Sequence, residues 1–503
     1  MSKNKTRAWT VLERTSRDPP NPVQAQSLSA VTPEWNLLLT VRGFMITLLK
    51  SINYERRQPG RYFRLSMIAL RWRVAILVSA AIAISYLDRQ TLPWMIKMNT
   101  LEKEFSISSS LKAFLDSAFL LTYGLMYLGG GRLLDLMGTR RGFLLTMAFW
   151  SVACASHSLA SNHGFSPIFG ISFGVIMLAA SRLLLGIGEG GGFPAATRVV
   201  AEWFPVRERS TAMGIINAGT AVGAVAAPWL IKCVIDYTGW FNLAPWRWVY
   251  LITGGIGLAW TAWWYFWYQP PPAESKAPGP AATASETGNE DGPAVPFWEL
   301  VSHRETLAVV GAKFLSDAAW YFYMFWFPKF LIETFGYSFD AASGVGWIPY
   351  AASGVGCLMG GGLSSWLLAR RCSVNASRKI ALGISAAFMP WVMLVPMMHS
   401  VGWVIFIFSL AFFGQQSWST LIMILPTDMI PKRSVGTLAG LVGFGGAMGG
   451  VVLGQVAGYL RDHHYSYTPI LLISGSLHLL ALLLICLVIP RIKPLNIRGQ
   501  QSR

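Results

Sequence analysis

Gly131-Arg132-Leu133-Leu134-Asp135-Leu136-Met137-Gly138-Thr139-Arg140-Arg141 is a short basic connection at the seam of two apolar blocks, 110–133 and 142–162. Each block is long enough to cross a bilayer, because a helix rising about 1.5 Å per residue needs about 20 apolar residues for a hydrocarbon layer about 30 Å thick. Working outward, further blocks lie at 73–96, 168–191, 210–232 and 246–268, then at 306–333, 342–369, 378–398, 402–425, 435–460 and 468–490. With no water to satisfy the backbone, such segments must be helices or a closed barrel. These runs are too long, and alternate too little, for barrel strands. The reading is an all-α membrane protein of twelve transmembrane helices.

Composition agrees. Of 503 residues, 53% are apolar and 13% charged, against about 25% charged in an ordinary soluble domain. The net charge of +17 does not form an aromatic-interleaved patch, so nucleic acid is not an expected partner. Lys and Arg collect instead in the N-terminal stretch and in alternate connections: Arg132/Arg140/Arg141, Arg207/Arg209, Arg370/Arg371/Arg378/Lys379, Lys432/Arg433 and Arg491/Lys493. The opposite connections 160–165 and 398–401 carry none. By the positive-inside rule, the basic side and both termini are expected in the cytoplasm, in the inner membrane. The five cysteines show no CxxC spacing, so neither a disulfide framework nor a metal site is expected.

The expected organisation is a basic N-terminal extension (1–72), a six-helix bundle (73–268), a Pro/Ala/Glu/Ser/Gly-rich linker (269–305), a second six-helix bundle (306–490) and a tail (491–503). The extension lacks the order of a cleavable signal peptide. Its 35–49 stretch suits an interfacial helix; an alternative is that translation begins near Met67. A shift of 226 residues lays Pro205, Arg207, Thr211, Gly214, Gly219 and Gly223 on Pro431, Arg433, Thr437, Gly440, Gly445 and Gly449 without a gap. A shift of 230 lays Gly130, Gly131, Arg140 and Arg141 on Gly360, Gly361, Arg370 and Arg371. Two pseudo-symmetric bundles follow, the parallel repeat of many carriers.

The loop quoted first resembles the G-x3-D-x2-G-x-[RK]-[RK] loop of the major facilitator superfamily, with Gly131, Asp135, Gly138, Arg140 and Arg141 at the motif positions. There Gly138 permits a tight turn, Asp135 can face a helix N-terminus, and the Arg pair sits where positive charge is favoured. The second copy has Ser365 in place of Asp135. Tyr86-Leu-Asp88-Arg89, Ser181-Arg182-x3-Gly186-x-Gly188-Glu189, Phe193-Pro194-Ala195-Ala196 and Glu202-Trp203-Phe204-Pro205-x-Arg207-Glu208-Arg209 are similar to the anion:cation symporters of that superfamily. Ser316-Asp317-x2-Trp320-Tyr321-Phe322-Tyr323-x2-Trp326-x-Pro328-Lys329 and Asp428-x2-Pro431-Lys432-Arg433 resemble its hexuronate and sugar-acid branch. The resemblance covers about 70–490 and implies a twelve-helix major facilitator fold carrying a sugar-acid monoanion, hexuronate first and aldonate second, by alternating access.

The charges carry a reading of their own. Asp88, Arg89, Arg182 and Glu189 lie inside apolar blocks, where each charge costs about 2.5–3.5 kcal/mol and is by default a functional hypothesis. Arg182 and Glu189 share a helix face about 10.5 Å apart along the axis. Guanidinium matches a carboxylate as a planar fork, so Arg89 and Arg182 are expected on the substrate, with Asp88 and Glu189 as proton carriers. The alternative is a static salt-bridge network joining the first and fourth spans.

By resemblance, Tyr123 would bond the sugar acid, and amides would be expected at Thr220 and near Leu421, where this chain has none. Of Trp320, Tyr321, Tyr323 and Trp326, Tyr323 stands between substrate contact and packing. Gln416, with Gln415 and Ser417, suits a cavity wall. All four functional charges being in the first bundle, ion handling is expected to be one-sided. No enzyme is expected: Gly186-x-Gly188-x2-Gly191 and Gly170-x-Ser172-x-Gly174 lie in an apolar block without strand-turn-helix context, and no P-loop appears. No cofactor is expected beyond a coupling proton; the expected partners are a small organic anion and the lipid bilayer, around a monomer. An organic-anion exchanger and a transport-dead sensor of the same fold remain alternatives.

Overall fold

The computed structural model describes residues 61–95, 101–162, 171–204, 206–237, 243–270, 296–430, 432–493 and 495. The chain divides into two units, Met1–Leu70 and Arg71–Arg503. Of the first, only the opening turns of a helix are described, and the expected interfacial helix at 35–49 lies outside the described residues. So does 271–295 of the expected linker, which resumes with the short helix Phe297–Ser302.

Among the described residues, twelve helices of 14 residues or more follow one another: α1 (Arg61–Met95), α2 (Ser109–Met137), α3 (Thr139–Ser156), α4 (Phe173–Gly190), α5 (Val206–Tyr237), α6 (Pro245–Trp267), α7 (Arg304–Phe335), α8 (Ile348–Ala369), α9 (Val374–Ala387), α10 (Val401–Ile422), α11 (Lys432–Asp462) and α12 (Thr468–Val488). Ten of them, α9 together with the 3-10 helix Pro390–Met397 that follows it, have the length and hydropathy of a membrane span. The other two, α6 and α7, owe their lower hydropathy to Trp and Tyr, and α7 also carries Lys313, Asp317, Lys329 and Glu333. Aromatics and paired ions lower a hydropathy average without making a helix unfit for a bundle. The indoles of α6 reach carbonyls of neighbouring helices, Trp260 to Leu77 (2.9 Å) and Trp264 to Arg140 (3.1 Å).

Turn chemistry sets several ends. Gly138 has φ 76° between α2 and α3, and Gly336 has φ 62° after α7, both in the left-handed region that glycine enters without strain. Because α2 runs on to Met137, the quoted connection is mostly helix: its first seven residues close α2 and only Gly138 turns. The fourth span bends at Gly191 and continues as a helix over Gly192–Trp203.

The repeat seen in the sequence reappears as geometry. Gly219 and Gly223 of α5 press on the backbone of Ser79 and Ala83 in α1, and Gly445 and Gly449 of α11 press on Val310 and Phe314 in α7. Each crossing brings two backbones closer than any side chain allows, the small-residue packing that holds helices together in lipid. The bundles meet where α2 lies along α11 and α5 along α8, two contacts exchanged by the same pseudo-symmetry. Large apolar side chains such as Val222, Trp263, Leu483 and Leu487 remain exposed on the outer faces, as a lipid-bathed surface requires.

A Cβ at Gly223 or Gly449 would run into the carbonyl of Ala83 or Phe314. Gly223→Val and Gly449→Val should each destabilise the fold by about 1–3 kcal/mol or more. Gly255→Ala, with nothing near its Cβ position, is the control. Thermal midpoints of the purified protein in detergent measure this; midpoints equal to the control would refute the crossing argument.

Candidate functional site

Asp88 and Arg89 are consecutive on α1, so their side chains leave the helix about 100° apart and serve different neighbourhoods. Arg89 turns to the middle of the molecule. Its Nε donates to Glu189 Oε2 of α4 at 2.6 Å, and Ser85 Oγ, one turn earlier on α1, donates to the same oxygen at 2.7 Å. The guanidinium lies against the rings of Tyr123 (4.3 Å), Tyr86 (4.6 Å) and Phe119 (5.4 Å), an aromatic cradle that stabilises a cation out of water. Tyr123 also meets the hydroxyl of Tyr127 at 3.3 Å. Asp88 turns instead into the first bundle, flanked by Cys154 of α3 and Thr253 of α6. These two also meet each other at 3.2 Å.

All four charges are 0–1% exposed, yet only one pair is closed. Neither oxygen of Asp88, nor Glu189 Oε1, Arg89 Nη1, Arg182 Nε or Arg182 Nη2 has a hydrogen-bond partner of good geometry among the described residues. Nε and Nη2 form one edge of a guanidinium, the edge that takes a carboxylate through two parallel bonds. The site therefore presents a buried, unused fork on Arg182 beside an occupied one on Arg89. As the spacing on α4 required, Arg182 and Glu189 share this interior without bonding each other.

Other expected residues are placed differently. Tyr323 packs within the second bundle against Phe408 (5.7 Å) and Phe412 (6.1 Å) of α10, away from Arg89. Tyr321, two residues earlier, faces the bundle interface, meets Gly450 of α11 beside Leu120 of α2, and lies within electrostatic reach of Arg89 and Tyr123. The 3.6-residue period alone separates the two tyrosines. Gln416 is buried on α10, while its neighbour Gln415 makes a polar contact to Asp317. Thr220 bonds the carbonyl of Asn217 on its own helix, and Leu421 is sealed in the core of the second bundle. In the motif loop, Arg140 Nη2 donates to the carbonyl of Tyr265 at 2.8 Å, while the side chain of Asp135 lies outside the described residues. Gly186 and Gly188 press on α2 and α3 at Phe119 and Trp150, and Ser172 accepts from the amide of Val175 at the start of α4.

Buried charge extends to the second bundle as well: Lys313 and Asp317 of α7 pair at 3.0 Å, both nearly sealed. Lys313 Nζ donates to Ser419 Oγ at 2.8 Å, Gln415 Nε2 donates to Asp317 Oδ1 at 3.2 Å, and His478 of α12 meets the other end of Gln415. The i,i+4 spacing of Lys313 and Asp317 inside a span was the available signal. At the end away from the basic connections, Asp462 of α11 accepts from the amides of Ser109 (2.7 Å) and Ser110 (2.9 Å), capping α2 from the other bundle, and Lys329 of α7 donates to Ser109 Oγ at 2.5 Å.

Residues 78–454 match the Major Facilitator Superfamily. The chain belongs to that superfamily. It is a multi-pass membrane transporter, not an enzyme. A D-galactonate transporter of Escherichia coli O6:H1 is 27% identical over 438 residues, covering 84% of this chain and 96% of that one. A hexuronate transporter of Escherichia coli K12 is 25% identical over 428 residues, covering 84% and 94%. Among solved structures, a bacterial homolog of the human lysosomal transporter Spinster, inward-facing and unoccupied, has the same fold at TM-score 0.59 and 18% identity, covering 83% of this carrier and 95% of that chain.

The second-bundle pair makes a test of its own. Lys313→Met leaves Asp317 buried without its counter-ion and should cost about 3–5 kcal/mol. The double variant Lys313→Met/Asp317→Asn should recover most of the loss. Thermal midpoints in detergent decide, and a single variant as stable as wild type would show that the pair is not held as an ion pair.

Proposed function

We propose that this carrier is a proton-coupled symporter of a sugar-acid monoanion, an aldonate or a hexuronate, in the inner membrane with its basic connections and both termini in the cytoplasm. The observation that carries the reading is the unpartnered Nε/Nη2 edge of Arg182, 1% exposed and about two turns along α4 from Glu189 of the Arg89–Glu189 pair. A buried cation with two free parallel donors is costly alone and well matched to one carboxylate. The names of the two relatives reported above, a D-galactonate and a hexuronate transporter, support a substrate that brings such a group.

Coupling follows from competition for Arg89. While Glu189 is ionised it occupies that guanidinium; protonation of Glu189 removes the counter-charge and leaves Arg89 to the substrate. Arg182 and Arg89 then hold the anion together only in the protonated carrier. Proton and substrate thus favour one loaded state, which alternates between the two sides. Tyr123 against Arg89, with Tyr321 across the interface, lines the place where a polyol would lie.

Uptake into proteoliposomes of D-galactonate, galacturonate, glucuronate, glucarate and a simple monocarboxylate, with and without an inward proton gradient, tests the reading. Gradient-driven accumulation of a sugar-acid monoanion is the expected result; uptake that ignores the gradient and requires internal anion would make the carrier an exchanger. Glu189→Gln should abolish accumulation while counterflow of labelled against unlabelled substrate continues, and intact accumulation would remove the proton role.

Arg182→Lys keeps the charge and loses the fork. Apparent affinity should fall about 10–100-fold, the equivalent of one charge-assisted bond at about 1.5–3 kcal/mol. Near-normal affinity would return Arg182 to packing.

A further inference from the structure

Asp88 is buried and turns away from Arg89 into the first bundle, beside Cys154 and Thr253. We propose that protons reach it through the interior of the first bundle, along a polar ladder between α3 and α6 in which His157 and Tyr250 are the intermediate groups. The inference rests on the proton-coupled reading above and says where the proton travels.

The ladder is built by register. α3 and α6 run antiparallel, and three successive levels pair polar groups across them. Deepest, Cys154 meets Thr253 at 3.2 Å beside Asp88. Next, the ring of His157 stacks on that of Tyr250 with centroids 4.7 Å apart and planes 11° from parallel. Outermost, Arg247 Nη1 donates to the carbonyl of Ser158 at 2.5 Å, while its Nη2 reaches Glu104 at 3.2 Å. Glu104 is one-third exposed at the end away from the basic connections. An apolar bundle needs none of this inside it.

The unused valences lie along the same line. Among the described residues, His157 Nε2, the Tyr250 hydroxyl and both oxygens of Asp88 are buried without a hydrogen-bond partner of good geometry. His157 Nδ1 lies 3.0 Å from the carbonyls of Ala153 and Cys154, so it carries the hydrogen and Nε2 presents a lone pair. A proton taken up at Nε2 leaves from that same nitrogen, so the inward step runs through a bridging water that contacts Nε2 from both the outer and the inner side of the ladder. Buried polar groups left open in series are where bridging water is held, and a phenol hydroxyl both donates and accepts.

The groups facing the ladder from other helices are Glu189 of α4, which acts on Asp88 and Cys154, Arg182 of α4, which stands near Asp88, His157 and Tyr250 together, Thr91 of α1 beside the Tyr250 hydroxyl, and Asp116 of α2, paired with Lys112 at 2.6 Å. Arg182 thus both carries the substrate fork and adjoins the proton route, so an anion on the fork and a proton on Asp88 are sensed by the same cation.

The test uses the full chain in proteoliposomes carrying an internal pH dye, with D-galactonate and galacturonate as the external probes. Wild type, His157→Gln and Tyr250→Phe are compared for substrate-driven proton entry and for counterflow at equal pH. Both variants should slow proton entry about tenfold or more and keep counterflow within about twofold. Proton entry at the wild-type rate in both variants would overturn the route and leave symport standing. Equal loss of counterflow would overturn it too, marking the residues as packing. A wild type with no proton entry for either probe would overturn the coupling reading and the route with it.

Discussion

The buried pair of Arg89 and Glu189 is the constraint around which the first bundle is arranged. It joins α1 to α4 at 2.6 Å in the middle of an apolar bundle, where an ion without a counter-ion is costly in any membrane. Everything adjoining it lowers that cost: the hydroxyl of Ser85, the π faces of Tyr86, Phe119 and Tyr123. A pair held this tightly by neutral neighbours is also a poised one. Adding a proton to Glu189 or an anion to Arg89 disturbs a balance in which Arg182 and Asp88 also take part. Static salt bridges of surface proteins lack this property, because water replaces whatever partner is lost.

Much of the fold was legible because lipid imposes a coarse grammar. Block length specifies helices, loop charge separates the two sides, and the ungapped recurrence of Gly219 and Gly223 at Gly445 and Gly449 marks two crossings that the structure shows as backbone contacts. The hardest spans were α6 and α7, where Trp, Tyr and ions blur hydropathy. Helix ends were less readable than helix centres: the motif at 131–141 looks like a loop by composition, yet only Gly138 leaves the helical region.

The site was legible as a set of residues and not as an arrangement. Four intramembrane charges stand out in any reading of the sequence. Which of them pair depends on a rotation of about 100° between Asp88 and Arg89, and that rotation places one carboxylate in the bundle interior and the arginine at the interface. The same geometry separates Tyr321 from Tyr323. Lys313 and Asp317 were hidden differently: they lie within a long aromatic run, and their partners Ser419, Gln415 and His478 come from α10 and α12, more than 100 residues away in the chain for the most part.

The two bundles share a scaffold but not a depth of charge. The contacts of Ser79 and Ala83 with α5, and of Val310 and Phe314 with α11, set α1 and α7 in a register 231 residues apart. In that register Asp88 and Arg89 fall on Ala319 and Trp320, while Asp317 falls on Tyr86 and Lys313 on Ile82. Parallel repeats put equivalent positions at equal depth, so the second pair lies about one to two turns nearer the basic end. Opposite Arg89 the second bundle offers rings instead of ions. A carrier for an anion with a hydroxylated body needs that inequality: two facing charged walls would hold the ion by its charge alone, whereas one charged wall and one aromatic wall distinguish head from body. The pseudo-symmetry supplies the contacts between the bundles, and departures from it make the two walls around Arg89 unlike.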